Sequence, residues 1–288
     1  MKQFSTIGIF CKENDKRIEA TLKTLLTFLK AENFKIVADK SAARFIDVPT
    51  INTEEFCSCI DLAIVVGGDG TLLKAGRLLS NRDIPVIGIN LGRLGFLVDI
   101  LPAEISEQLT QMLHGKYTIE TRSLLHAEAF RGKQSLGESI ALNDIVLHVR
   151  NDIRMIEFTT HIDNNFVNTQ RADGIVIATP TGSTAYALSG GGPILHPGLE
   201  AVVLVPICPH TLSNRPIVIS NQSNIHISLC EKRNVNARVS FDGQSNIDLQ
   251  AGDHIVIRQQ SHKLQLMHPE SYDYFHILRN KLGWSVSP

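Results

Sequence analysis

Three places in the chain combine residue types that could do chemistry. In the first, Gly67-Gly68-Asp69-Gly70-Thr71, a loop joins the apolar run Ile64-Val65-Val66 to a helical spacing of Leu72, Leu73, Ala75, Gly76 and Leu79. Glycines 67, 68 and 70 lack a Cβ, so the backbone can take positive φ and bring its N–H groups close to a phosphate, which the start of the following helix also attracts. A carboxylate facing that phosphate would repel it. Asp69 is therefore read as accepting a hydrogen bond or a proton from a hydroxyl beside the phosphate, which is phosphoryl transfer to an alcohol. Lys74, one turn into the helix, suits neutralising phosphates or, more plainly, solvating the helix face. Gly-Gly-Asp-Gly is equally a strand-to-helix turn with a capping Asp, and the loop alone does not separate the two readings. The second place is Thr179 to Pro193, TPTGSTAYALSGGGP, where four hydroxyl residues between Thr179 and Thr184 exceed what one helix cap needs. The third is Asn143-Asp144, set inside the strand-like run Ile140 to Val149, where Asn and Asp need a bulge, a turn or a ligand to justify them.

The elements that must position these residues change in texture along the chain. Strands Thr6 to Phe10, Lys35 to Ala38, Ile64 to Val66 and Pro85 to Ile89 alternate with a helix from Asn14 to Glu32 and the helix after Thr71, with a less regular stretch from Ser41 to Ser58. This predicts a parallel, Rossmann-like sheet with ligands beyond its carboxyl ends, where Gly67 to Gly70 and Asn90 to Gly95 face one cleft. After the helix Pro102 to His114 come short strands: Tyr117 to Phe130, Ile140 to Val149, Arg154 to Ile162, Phe166 to Thr169, Gly174 to Ala178 and others to Met267. Asp163-Asn164-Asn165 and Phe241-Asp242-Gly243-Gln244 read as tight turns. The expected fold is an α/β domain over residues 1–100 and a mostly-β, sandwich-like domain over 101–269, with a helix in 270–288 packing back on the first.

Composition narrows the function classes. With 288 residues, 43% hydrophobic and 20% charged, the chain reads as globular. A net charge of -1 provides no sequence-wide drive toward nucleic acid or an anionic membrane. No apolar run approaches the roughly 20 residues that span a bilayer. Five cysteines without a C-x-x-C pair, and no signal-like N-terminus, point to a reduced, cytoplasmic protein. Cys57 and Cys59 alternate as in a strand or loop, and neither they nor the histidines show metal-ligand spacing, so no metal site is assigned.

GGDGT at Gly67, NLGRLGFL from Asn90, Asn143-Asp144, TPTGSTAYALSGGGP from Thr179 and PHTLSNRP from Pro209 together, in this order and over nearly the whole chain, resemble the NAD kinase family. The resemblance implies ATP-dependent phosphorylation of the 2′-hydroxyl of the NAD adenosine ribose, with Mg²⁺ or another divalent cation and a homodimeric or homotetrameric assembly. It makes Asp69 the proton acceptor, with Gly70 a backbone contact beside it, and places Asn143 and Asp144 on NAD hydroxyls. Thr184, Ala185, Tyr186, Ala187, Leu188 and Ser189 then line the adenosine pocket. Arg154, Arg171, Asp173 and Gln244 become further NAD contacts. The Gly-Gly-Asp-Gly loop alone is shared with lipid kinases, which leaves a diacylglycerol-type kinase as one alternative and a non-catalytic dinucleotide sensor as another.

Overall fold

The computed structural model describes residues 4–12, 15, 17–49, 53–92, 95–150, 155–231 and 236–284, with only the backbone given for 53 and 54. Contacts divide the chain into two units, Met1–Thr121 with Leu264–Pro288, and Arg122–Lys263.

In the first unit β1 (Thr6–Cys11), α1 (Ile18–Ala31), β2 (Lys35–Ala38), α2 (Thr53–Cys59), β3 (Leu62–Val66), α3 (Asp69–Leu78), β4 (Val86–Ile89), α4 (Ile105–Leu113) and β5 (Tyr117–Arg122) follow in turn. β1 pairs parallel with β2 and β3, and β3 pairs parallel with β4. Every residue of β1, β3 and β4 is buried, as expected of a parallel sheet covered on both faces. α1 buries Ile18, Leu22, Leu25 and Leu29, its one apolar stripe. On the other side Phe56 of α2 meets Phe10 edge-on, the ring centroids 4.8 Å apart.

The second unit contains β6 (Leu125–Arg131), β7 (Gln134–Ala141), β8 (Asp144–Val149), β9 (Ile156–Ile162), β10 (Asn165–Ala172), β11 (Gly174–Ala178), α5 (Tyr186–Ser189), β12 (Ala201–Ile207), β13 (Ile217–Ser220), β14 (Ile225–Leu229), β15 (Ala237–Phe241), β16 (Ser245–Leu249) and β17 (His254–Gln259). They form two antiparallel sheets, β10-β9-β14-β17-β6-β7 and β13-β12-β11-β8-β15-β16. Alternate residues of the two, among them Ala127, Phe158, Ile257, Leu147, Ile177 and Val239, meet in one core. The opposite face of β8, β11 and β12 is also buried, by Ala187 of α5 and by Leu195. That second covering is why Gly174 to Ala178 reads as an unbroken apolar run.

The chain returns to the first sheet through β18 (Leu264–Pro269), which lies between β4 and β5, and ends in α6 (Tyr274–Leu282). Several expectations shift here. The division falls near residues 121 and 263 rather than near 100 and 269, because α4 packs on α1 and because Leu264, Leu266 and Met267 are buried in the first unit. The single strand expected from Tyr117 to Phe130 is two, β5 and β6, in different sheets. Within the irregular stretch, Thr53–Cys59 is a helix, so the alternation of Cys57 and Cys59 is not that of a strand. Both expected tight turns are present, with positive φ at Asp163, Asn164, Asp242 and Gly243.

Candidate functional site

The glycine loop leaves β3 at its carboxyl end and enters α3 with Gly68 as the capping residue. None of Gly67, Gly68 and Gly70 has positive φ, so the expected left-handed backbone is absent from this loop. What the loop requires is room. A Cβ on Gly67 would strike the Thr71 side chain, whereas Cβ positions on Gly68 and Gly70 meet nothing within 4 Å. The first N–H groups of a helix have no partner within the helix, so this bare surface at the start of α3 suits an anion.

Asp69 is the first residue of α3, and both of its oxygens are engaged. Phe96 N–H donates to Oδ2 and Leu97 N–H to Oδ1, each at 3.0 Å. Gly95 sits so close that a Cβ there would collide with Asp69 Oδ1. The loop from Asn90 therefore clasps the carboxylate, and this is the physical role of its second glycine. Each carboxylate oxygen retains a further lone pair, so a hydroxyl can still donate to it. A cavity of about 440 Å³ beside the loop is lined by Gly67, Gly68, Leu91, Lys12 and Arg17. Lys74 is exposed on α3 and does not line that cavity. Sequence reading missed Lys12 and Arg17, although a cation directly after the first parallel strand was a usable signal.

In the second unit, the Asn-Asp anomaly resolves as a break between β7 and β8, with Asn143 in the bend and Asp144 opening β8. Asp242 staples that bend, accepting from the N–H groups of Leu142 (3.1 Å), Asn143 (2.8 Å) and Asp144 (3.2 Å). Asp242 was missed as a site residue, though its tight turn and neighbour Gln244 were not. Asp144 is only 6% exposed, and burial, then the charge of Asp242, pushes its carboxyl up to about 7. Asn143 Oδ1 is buried without a hydrogen-bond partner.

The TPTGS loop docks onto the same bend. Thr179 N–H donates to Asn143 O at 2.9 Å and Thr179 Oγ1 to Leu142 O at 2.6 Å. Gly182 lies against the Asn143 backbone with no space for a Cβ. Ser183 Oγ donates to Pro180 O at 2.6 Å and accepts from Leu195 N–H at 2.9 Å. The surplus hydroxyls thus serve the fold as well as any ligand: Thr179 and Ser183 are fully buried in these bonds. Tyr186 exposes 47% of its surface beside the bend's loop, with Thr184, Ala185 and Leu188 partly exposed and Ser189 exposed. Ala187 differs from its neighbours, since its methyl is in the core under β11 and β12, so that side chain cannot line a pocket.

Arg171 and Asp173 are not brought to this bend. Asp144 pairs with Ala178 at one end of β11, whereas Asp173 precedes Gly174 at the other. Five residues of strand separate them by roughly 17 Å. Arg171 is exposed on β10 between the buried Gln170 and Ala172, so it points away from the sandwich core. The PHTLSNRP segment accompanies it, with His210 N–H donating to Arg171 O at 2.9 Å. Arg154 lies outside the described residues.

Residues 7–117 match the model of the ATP-NAD kinase N-terminal domain, and residues 142–269 that of the ATP-NAD kinase C-terminal domain. The chain is 45% identical to the NAD kinase of Teredinibacter turnerae, covering 99% of this chain and 98% of that protein. It is 46% identical to the NAD kinase of Chromohalobacter salexigens at the same coverage. Among solved structures it resembles yeast NADH kinase complexed with NADH, with a TM-score of 0.90 at 26% identity over 99% of this chain and 89% of that one. It also resembles an Archaeoglobus fulgidus NAD kinase in complex with ATP, with a TM-score of 0.74 at 27% identity over 98% and 100% of the two chains.

Proposed function

The chain belongs to the NAD kinase family and phosphorylates NAD at the expense of ATP, and we propose that its two units divide the work between Asp69 and the Asn143–Asp144 bend. The bend carries the reading. A buried carboxyl held near neutrality and a buried amide oxygen without a partner, both stapled by Asp242, destabilise the fold unless a ligand uses them. Ribose hydroxyls, which donate and accept, complete both groups. Tyr186 offers a ring face to the adenosine, Thr184 and Ser189 supply polar edge contacts, and Ala185 lines the pocket between them. Gln244 adds an amide from the turn that contains Asp242.

Asp69 accepts the proton of the adenosine 2′-hydroxyl, or orients that hydroxyl, as the oxygen attacks the γ-phosphorus of ATP. Its fixed position between two amide donors means that no reorientation is needed when the substrate arrives. A base of this kind contributes typically ~10²–10⁴-fold, and the remainder comes from positioning and charge stabilisation. Gly67, Gly68, Gly70 and Thr71 shape the phosphate seat at the start of α3, with no Cβ intruding at Gly68 and Gly70, while the N–H groups of Gly67 and Thr71 donate to Ile89 O and Gly68 O and so serve the loop itself. Among the described residues no cluster of three His, Cys, Asp or Glu is arranged to hold a metal. Mg²⁺, or another divalent cation, would enter with ATP and would offset the charge of its phosphates.

A homodimer or homotetramer is part of this proposal, and the placement of Arg171 and Asp173 supports it. NAD seated at the Asn143–Asp144 bend would have to wrap around the sandwich to reach them in the same subunit, whereas a second copy can present its own pair. The partners are small nucleotides rather than nucleic acid or membrane. Five cysteines outside any disulfide accord with a reducing cytoplasm, and among the described residues no helix is long and apolar enough to cross a membrane.

The direct test is NADP formation by the purified protein from ATP, Mg²⁺ and NAD, with diacylglycerol as the competing acceptor. NADP formation with no lipid phosphorylation is expected. Mixing Asp69→Asn with Arg171→Ala protein, each impaired alone with NAD, should raise the NAD kinase activity above the sum of the two if subunits share the site. No recovery after verified subunit exchange would place Arg171 on the dinucleotide of its own chain.

A further inference from the structure

Two cations beside the glycine loop have no role in the reading above. Lys12 follows β1, and its N–H donates to Val66 O at 3.0 Å, which sets it next to Gly67. Arg17 precedes α1 and donates through Nη1 to Leu91 O at 2.8 Å, so it is tied to the loop that clasps Asp69. Both side chains line the cavity at Gly67 and Gly68 and are about half exposed, at 52% and 59%. The carboxylate of Asp15 between them is far more enclosed, at 11%. Arg17 grips it with Nε on Oδ1 at 3.0 Å and Nη2 on Oδ2 at 2.8 Å, and Lys12 Nζ stands 3.5 Å from Oδ2.

Such surface ion pairs contribute little to stability, so stability does not account for this cluster. Its geometry does suit an anion. A guanidinium fork binds two oxygens of a carboxylate or of a phosphate in the same way, and an ammonium adds a point charge. The neighbouring start of α3 favours the same sign of ligand.

We propose that Lys12 and Arg17 bind the phosphate chain of the nucleoside triphosphate donor, and that Asp15 is an internal stand-in for that anion which the phosphates displace. This rests on the kinase reading given above. A single carboxylate brings one negative charge where the triphosphate brings several, so the donor wins the exchange while Asp15 keeps the fork oriented between turnovers. Asp15 accordingly sets a threshold on donor affinity: a ligand must outcompete it to be held.

The three residues then have opposite signatures. Arg17→Gln and Lys12→Gln should each raise KM for Mg·ATP about tenfold, leaving KM for NAD within about twofold and the melting temperature unchanged. Arg17→Lys, which keeps the charge but loses the fork, should fall between. Asp15→Asn should lower KM for Mg·ATP several-fold, and direct titration with the non-hydrolysable analogue Mg·AMP-PNP should show the same gain without turnover. If wild-type protein makes no NADP, the kinase reading fails. If it makes NADP but Arg17→Gln and Lys12→Gln leave KM for ATP unaltered, or Asp15→Asn weakens analogue binding, the present proposal alone is overturned.

Discussion

Asp144 is wrong for stability, and in the function proposed above it is right for binding. Its carboxyl titrates near 7 in the folded chain against an ordinary 3.8, so the folded protein holds a proton that the unfolded chain releases, and stability falls as pH rises across that window. Asp144→Asn removes the penalty and should stabilise the protein by roughly 2–4 kcal/mol at pH 7 and by almost nothing at pH 4. NAD affinity should fall in the same variant. Denaturant unfolding at the two pH values, beside NAD titration, checks both; a variant less stable than wild type at pH 7 would show that the carboxylate stabilises the bend. Asp69 is a different case, because its oxygens accept two backbone N–H groups. Asp69→Asn should lower turnover by roughly two orders of magnitude or more. An amide N–H turned toward Phe96 or Leu97 cannot accept, so the same change should also cost roughly 1–3 kcal/mol of stability. Gly95→Ala separates the effects, since it moves the carboxylate without altering it. We expect a lower kcat with little change in either KM, and unaltered kcat would mean that the clasp is not needed for turnover.

At the scale of elements, the bend between β7 and β8 is a shared foundation: Asp242 bonds three of its N–H groups, and Thr179 and Gly182 rest on its carbonyls. Asp242→Ala should therefore loosen the TPTGS loop as well as the bend. Hydrogen exchange is expected to accelerate at residues 142–144 and 179–184 together, and acceleration confined to 142–144 would uncouple them. The other sheet carries a row of rings, with His161, His226 and His254 on β9, β14 and β17 and centroids 6.2 and 4.9 Å apart. Burial, then His254 and His161, holds His226 below its ordinary range, so the unfolded chain takes up a proton more readily. The stability from keeping His226 neutral is complete above about pH 6.5 and is lost as the medium acidifies. His226→Gln should flatten the fall in Tm between pH 7.5 and 5.5, and an unchanged slope would place the acid sensitivity elsewhere.

For the molecule as a whole, the proposed contact of Arg171 with the dinucleotide bears on which redox form is the better substrate. A guanidinium at the pyrophosphate would serve NAD and NADH alike, whereas one near the nicotinamide would bias the choice between redox forms. We expect NAD to be the better substrate and Arg171→Gln to narrow the gap by improving NADH. Measuring kcat/KM for both dinucleotides on both proteins decides this, and an equal fractional loss would show that Arg171 serves only the shared phosphates.

What the sequence determined by itself was local in origin. Ile64 to Val66 followed by glycines and helical spacing specifies strand, loop and helix whatever surrounds them, and Asn143-Asp144 stands out because strands rarely tolerate the pair. Motif order over the whole chain supplied the family. Long-range packing decided the rest. Nothing near Asp69 in sequence announces that the amides of Phe96 and Leu97 hold it, or that Gly95 is bare to admit its oxygen. Asp242 reaches Asn143 across 99 positions, and Ala187 looks like a pocket residue until α5 is laid on β11 and β12. Asp173 and Asp144 belong to neighbouring motifs but lie at opposite ends of the pairing of β8 with β11. Spacing along a chain measures local geometry, and only the folded sheets convert it into distance.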